Sequence, residues 1–137
     1  MNIDGRCHCR YISFEAEADP ETMTICNCTD CQTMSGGPIR VLIMTRPGTF
    51  QLLSGQPTLY LKTAYSGAVR AQAFCPRCGT PIYSTSVGDD PKVYAVRVSA
   101  LNQRDELVPR QQSFVRSQQA WVNEVRSIPK FDKMPPR

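Results

Sequence analysis

Seven cysteines in three tight groups constrain this chain more than any other feature: Cys7-His8-Cys9, then Cys26-Asn27-Cys28-Thr29-Asp30-Cys31, then Cys75-Pro76-Arg77-Cys78-Gly79. Each group offers two or three sulfurs from one turn, more than 137 residues need for packing. Disulfides account for them poorly. The count is odd, the stretch from Met1 to Cys7 has no apolar run of a secretion signal, and cytosolic thiols stay reduced. The cytoplasm is the expected location on the same grounds. Metal ligation explains all seven at once. A thioredoxin-type dithiol at Cys75 and Cys78 fits less well, because that motif opens a helix in a βαβ setting, whereas Thr80-Pro81-Ile82-Tyr83 reads as turn and strand. Cys-x-x-Cys-Gly instead makes a knuckle whose N–H groups face the thiolates, with Gly79 free to take a positive φ.

A closed structural zinc takes four ligands in a tetrahedron. Cys7 and Cys9 with Cys75 and Cys78 supply them from two distant turns, and the metal offsets the entropy of closing the loop between them. Cys26, Cys28 and Cys31 then have no fourth cysteine. Either one position stays open, the pattern of a zinc that does chemistry, or His8 or Asp30 closes it. His8, the only histidine, sits between two ligands of the other site, where an exposed and passive role is expected. Asp30 precedes Cys31 and is expected to point away. The open reading is preferred, giving two zincs per chain, one structural and one catalytic, with Cys26, Cys28 and Cys31 as the catalytic residues.

Outside the cysteines the chain reads as short strands. Arg10 to Glu17 alternates, with Ile12, Phe14 and Ala16 on one side. Similar runs cover Met23 to Cys26, Ile39 to Thr45, Thr49 to Leu53, Thr58 to Lys62, Val69 to Phe74, Ile82 to Ser84 and Val93 to Val98. Turn chemistry separates them, as in Arg46-Pro47-Gly48 and Gly88-Asp89-Asp90-Pro91. The expected fold is therefore mainly β, of short antiparallel strands with little helix. One or two helical turns are expected near Thr29, capped by Thr29 or Asp30 and stopped at Gly36-Gly37. One domain over residues 1–137 is expected, with a tail from 127 to 137 that is loose or wraps the surface.

Apolar residues at 41% and charged residues at 20% exclude a disordered chain. No segment approaches the length of a membrane span, so no membrane partner is expected. The net charge of +4 is scattered, without a basic stripe interleaved with aromatics, so nucleic acid is not an expected partner. The oligomeric state is open at this point. Trp121 is expected in the core or a lid. Asp89-Asp90 reads as a solvated turn. Gln32 and Ser35 follow the open site closely enough either to donate to a substrate or to cap the short helix.

These groups, in this order and spacing, resemble the glutathione-dependent formaldehyde-activating enzyme family, which includes centromere protein V. The resemblance runs through Gly5-Arg6-Cys7-His8-Cys9, Cys26-Asn27-Cys28-Thr29-Asp30-Cys31-Gln32 with Ser35-Gly36, Ser54-Gly55, and Phe74-Cys75-Pro76-Arg77-Cys78-Gly79-Thr80-Pro81-Ile82. It implies a β-tent zinc-binding fold, the same division of the cysteines, and condensation of formaldehyde with glutathione to S-hydroxymethylglutathione, a carbon–sulfur lyase reaction in reverse. The implied partners are a small thiol such as glutathione and an aldehyde. Where that family often carries His, a basic residue and Gly, this chain has Asn27, Thr33 and Arg10. Gln112-Ser113-Phe114 stands where a His followed by an aromatic is common. Arg40, Lys62 and Arg70 are the basic residues left to meet a thiol's carboxylates. The alternative functions are a non-catalytic zinc-scaffolded binding module and a metal store or sensor.

Overall fold

The computed structural model describes every residue except Asp90. It is mainly β, as expected. A three-stranded sheet in the order β1-β2-β5 is built from β1 (Asn2–Arg6), β2 (Ser13–Glu17) and β5 (Gln51–Ser54). A seven-stranded sheet runs β10-β3-β4-β9-β8-β7-β6. Its strands are β3 (Thr24–Cys26), β4 (Arg40–Met44), β6 (Thr58–Thr63), β7 (Val69–Phe74), β8 (Pro81–Ser86), β9 (Ala95–Arg97) and β10 (Gln111–Ser113). Between β3 and β4 lies α1 (Thr29–Ser35).

Alternation decides which face of the small sheet is buried. Ile3 in β1 and Phe14 and Ala16 in β2 point inward while their neighbours face out. They meet Ile43, Ala73, Ile82 and Val96 of the large sheet in one core. Rings join the two sheets: Phe14 stacks on Phe50 at 5.5 Å, Phe50 on Tyr94 at 4.3 Å, and Tyr83 meets Tyr94 edge-on at 4.7 Å. Offset-stacked and edge-on contacts of this kind add about 1 kcal/mol each beyond area burial.

All eight expected strands are present with small shifts at their ends, and two strands were missed. β1 is short and carries one large apolar side chain, Ile3, so its pattern is faint; pairing from Asn2 with Glu17 to Arg6 with Ser13 places it. β10 is the sequence Gln-Gln-Ser, which has no strand signal, and it runs parallel to β3 rather than antiparallel. Expected strand Arg10–Glu17 starts only at Ser13, because Arg10 takes φ 71 and turns the chain. The expected cap at Thr29 or Asp30 is corrected: the N-cap of α1 is Cys28, whose sulfur accepts from the Cys31 N–H at 3.2 Å. Gly36, at φ 73, ends the helix as expected. Trp121 is 52% exposed and therefore not a core residue. Residues 128–137 are exposed and form no strand or helix. The expected acidic turn at Asp89-Asp90 falls partly outside the described residues.

Gly55 marks the closest approach of the small sheet to the first cysteine turn. At φ +78, its Cβ in any other residue would stand 2.5 Å from the Tyr11 carbonyl oxygen. Gly55→Ala is expected to cost about 2 kcal/mol, lowering Tm by roughly 5–10 °C in thermal denaturation.

Candidate metal centres and the adjoining cleft

Two turns distant in sequence, one after a strand of each sheet, bring four cysteines together. Cys7 follows β1 of the small sheet and Cys75 follows β7 of the large one. The Cys7 and Cys9 sulfurs lie 3.6 Å apart, and those of Cys9 and Cys75 lie 3.7 Å apart. All four sulfurs, with Cys78, fall within 4.8 Å of one another. A tetrahedron of thiolates about 2.3 Å from a zinc has sulfurs about 3.8 Å apart, so the donor set fits such an ion. Backbone N–H groups aim at these sulfurs: Ile12 donates to Cys7 at 3.2 Å and Arg77 to Cys75 at 3.4 Å. Gly79 closes the knuckle at φ 77, donating to the Cys75 carbonyl at 2.8 Å. His8 is exposed, and its N–H donates to the Thr80 hydroxyl.

Cys26 ends β3, and Cys28 and Cys31 open α1. Their sulfurs also lie within 4.8 Å of one another, and among the described residues no His, Asp or Glu completes the group. Asp30 points away, as expected, and pairs with Lys62 at 2.8 Å. The crowding shows in the protons: a hydrogen bond from Cys31 pulls the Cys26 thiol down to about 5, and the same bond pushes Cys31 well above the usual thiol range. Sulfurs that must share protons in this way are relieved by a cation.

The loop around Cys28 is latched to the C-terminal part of the chain. Asn27 is fully buried, and its side-chain amide donates to Gln112 Oε1 and to the Ser113 carbonyl. Gln32 donates to the carbonyls of Asn27 and Ser117 and accepts from Gln119. Both polar atoms of its side chain serve this latch, a third role beside the two expected for it. Ser35 takes the capping role, accepting from the Gly37 N–H and donating to the Ile39 carbonyl.

A cleft of about 390 Å³ opens beside Cys28, lined by Lys62, Tyr65, Phe114 and Arg116 among others. Tyr65 and Phe114 meet edge-on at 5.4 Å, and the Arg116 guanidinium lies over the Tyr65 ring at 5.3 Å. Phe114 holds φ 52, a left-handed backbone that costs a bulky residue about 1–3 kcal/mol and is concentrated at functional sites. Tyr65 and Arg116 carry no sequence signal, because they reach the cleft only when the β6–β7 turn and the chain after β10 meet.

Of the basic residues expected near the open site, Lys62 lines the cleft and Arg40 is buried at the Cys26 position of the sheet, its register partner. Arg70 is half-buried on β7. A further arginine, Arg97, is 4% exposed. Burial lowers its guanidinium to about 9, and Arg40 adds to that shift, while charge on Cys31 and Cys26 opposes it.

The fold is mainly β, and one four-cysteine group and one three-cysteine group beside a cleft could each hold a metal ion. The chain belongs to the glutathione-dependent formaldehyde-activating enzyme family, whose model matches residues 2–117. A crystal structure of a Rhodobacter sphaeroides protein is similar in fold, with a TM-score of 0.59 and 22% identity over 80% of this chain and 99% of that one. No curated protein matches the sequence. Among the described residues no helix is long and apolar enough to cross a membrane.

The two cysteine groups are expected to separate in a metal analysis. Cys75→Ser is expected to lose one metal equivalent together with the cooperative thermal transition. Cys28→Ser is expected to lose the other equivalent and keep the transition, because a serine hydroxyl still caps α1.

Proposed function

We propose that the chain, acting as one zinc domain over residues 1–137, condenses a small thiol such as glutathione with an aldehyde such as formaldehyde, and catalyses the reverse cleavage as a carbon–sulfur lyase. Cys7, Cys9, Cys75 and Cys78 hold a structural zinc in this reading, and Cys26, Cys28 and Cys31 a catalytic one. The observation that carries it is the three-cysteine group with no fourth His, Asp or Glu among the described residues, opening on the Cys28 cleft. A zinc in that group supplies a Lewis acid that keeps a bound thiol ionised at neutral pH.

The protein's own residues gather and orient. In the forward direction the thiol sulfur bonds to the aldehyde carbon, the carbonyl π bond breaks, and the proton from sulfur ends on the new hydroxyl oxygen. Because this addition is easy in water, the site acts chiefly by bringing the reactants together. Arg116 puts positive charge on the cleft wall where a thiol peptide's carboxylate would lie, while Lys62 on the same wall is already paired with Asp30. Phe114 and Tyr65 give that wall an aromatic surface against which a bound reactant can pack. The latch from Gln32 and Asn27 fixes the cysteine loop against the segment carrying Phe114 and Arg116, so sulfurs and wall keep one geometry.

Exchange between glutathione and its formaldehyde adduct, followed with carbon-13 formaldehyde by exchange NMR, tests the reading. The exchange rate is expected to rise in proportion to added zinc protein and to return to the uncatalysed value with Cys28→Ser. A rate that wild-type protein leaves unchanged would remove the proposed activity.

A further inference from the structure

The large sheet buries positive charge with no carboxylate paired to it among the described residues. Arg40 on β4 and Arg97 on β9 are 6% and 4% exposed. Their guanidiniums converge on one acceptor, the Gln72 Oε1: Arg97 Nη2 donates at 2.7 Å and Arg40 Nη1 at 3.4 Å. Arg97 Nη1 also donates to the Ala95 carbonyl at 3.4 Å. The Nε of each arginine is buried without a partner. The ion pairs among the described residues are Arg46 with Glu17, Lys62 with Asp30 and Arg110 with Glu21, and none involves this pair. Arg70, two residues from Gln72 on β7 and therefore on the same face, adds a third positive charge.

Removing a guanidinium from water costs several kcal/mol, and two side by side repel, so a buried pair without acids needs an anion. The cysteines offer charge: Cys26 and Arg40 are register partners across β3 and β4. They do not supply the missing acceptor, because no cysteine sulfur is within hydrogen-bond reach of either guanidinium among the described residues. The charges also fall short. Three thiolates and a dication sum to −1, and the guanidiniums of Arg40, Arg97 and Arg70 to +3, which leaves +2. A ligand thiolate at the three-cysteine group would lower that excess to +1 and leave a further anion to be supplied. The Nε–H groups are enclosed, so a carboxylate, whose geometry suits guanidinium, would meet the parts of the two side chains that face open space. Arg40 and Arg97 also line a cavity of about 490 Å³ that includes Ser99 and Arg104, so there is space beside the pair.

We propose that Arg40 and Arg97 form a buried carboxylate subsite next to Cys26, Cys28 and Cys31, selecting a reactant whose acid group lies a few atoms from its reacting centre. The inference rests on the thiol–aldehyde reading for the identity of that centre and deepens it: formaldehyde itself carries no charge for this pair. The acid belongs to the thiol or to a carbonyl partner such as a 2-oxo acid, and the chemistry of recognition is the same.

Titration calorimetry on the zinc-loaded protein tests this, with zinc content measured after each run. The thiol arm compares 3-mercaptopropionate with its neutral amide; the carbonyl arm compares glyoxylate with formaldehyde; acetate alone is the third probe. In the wild type at least one acid is expected to bind about tenfold or more tightly than its neutral counterpart, the worth of one charge-assisted hydrogen bond. Arg97→Met is expected to remove that preference, and Arg97→Lys to keep part of it. A preference confined to the thiol arm places the acid on the thiol, and one confined to the carbonyl arm places it on the partner. If neither thiol binds yet acetate binds in the wild type and not in Arg97→Met, the subsite stands and the thiol chemistry does not. Equal binding of acid and neutral probes in the wild type, with no acetate binding, overturns the subsite, and this comparison does not depend on how either variant folds. A preference that survives in soluble Arg97→Met overturns it as well.

Discussion

Four sulfurs crowd within 4.8 Å at the junction of the two sheets, and much of the molecule depends on that contact being attractive. Cys7 and Cys75 are fully buried and come from strands of different sheets, so the junction ties the start of the chain to its middle. As thiolates without a cation the four would repel, and as neutral thiols they would be weak hydrogen-bond partners. With a dication between them the same geometry becomes a clamp worth many kcal/mol of folding free energy. The core that the clamp closes is modest: a few aliphatic side chains and the ring series Phe14, Phe50, Tyr94 and Tyr83.

The open group obeys the same sulfur chemistry with a different boundary. Its three cysteines sit where β3 gives way to α1, and the helix cap is itself one of the sulfurs, through the bond from the Cys31 N–H to Cys28. The cleft wall is not built by the cysteine loop but is brought to it, by the turn after β6 and by the segment after β10. Parallel pairing of β10 with β3, and the hydrogen bonds of Asn27 and Gln32, hold that segment in place. The strained backbone at Phe114 is sustained by these surroundings, since nothing local favours φ 52 for phenylalanine. In the same sheet Arg40 and Arg97 are buried and take part in no ion pair among the described residues, which is the imbalance that the proposed carboxylate subsite would answer.

Much of this was legible from residue order. Cysteine spacing separates a closed group from an open one because tetrahedral ligation needs two tight pairs, and that requirement is local chemistry. Strand positions followed from period-two alternation wherever a strand has one buried face, as in Ser13–Glu17 and Val69–Phe74. The signal failed for β10, where Gln-Gln-Ser is a strand only because its backbone groups find β3. It failed for Arg10 too, since an arginine gives no sign that its backbone must take a positive φ.

By itself the sequence determined the two cysteine groups that could hold metal ions, the mainly β class and the helix at the second group, because sulfur spacing, alternation and glycine stops act over a few residues. Tertiary structure alone decided the cleft wall of Lys62, Tyr65, Phe114 and Arg116 and the convergence of Arg40 and Arg97 on Gln72. Those groups are tens of residues apart, and their proximity follows from sheet order and register, which no local pattern encodes.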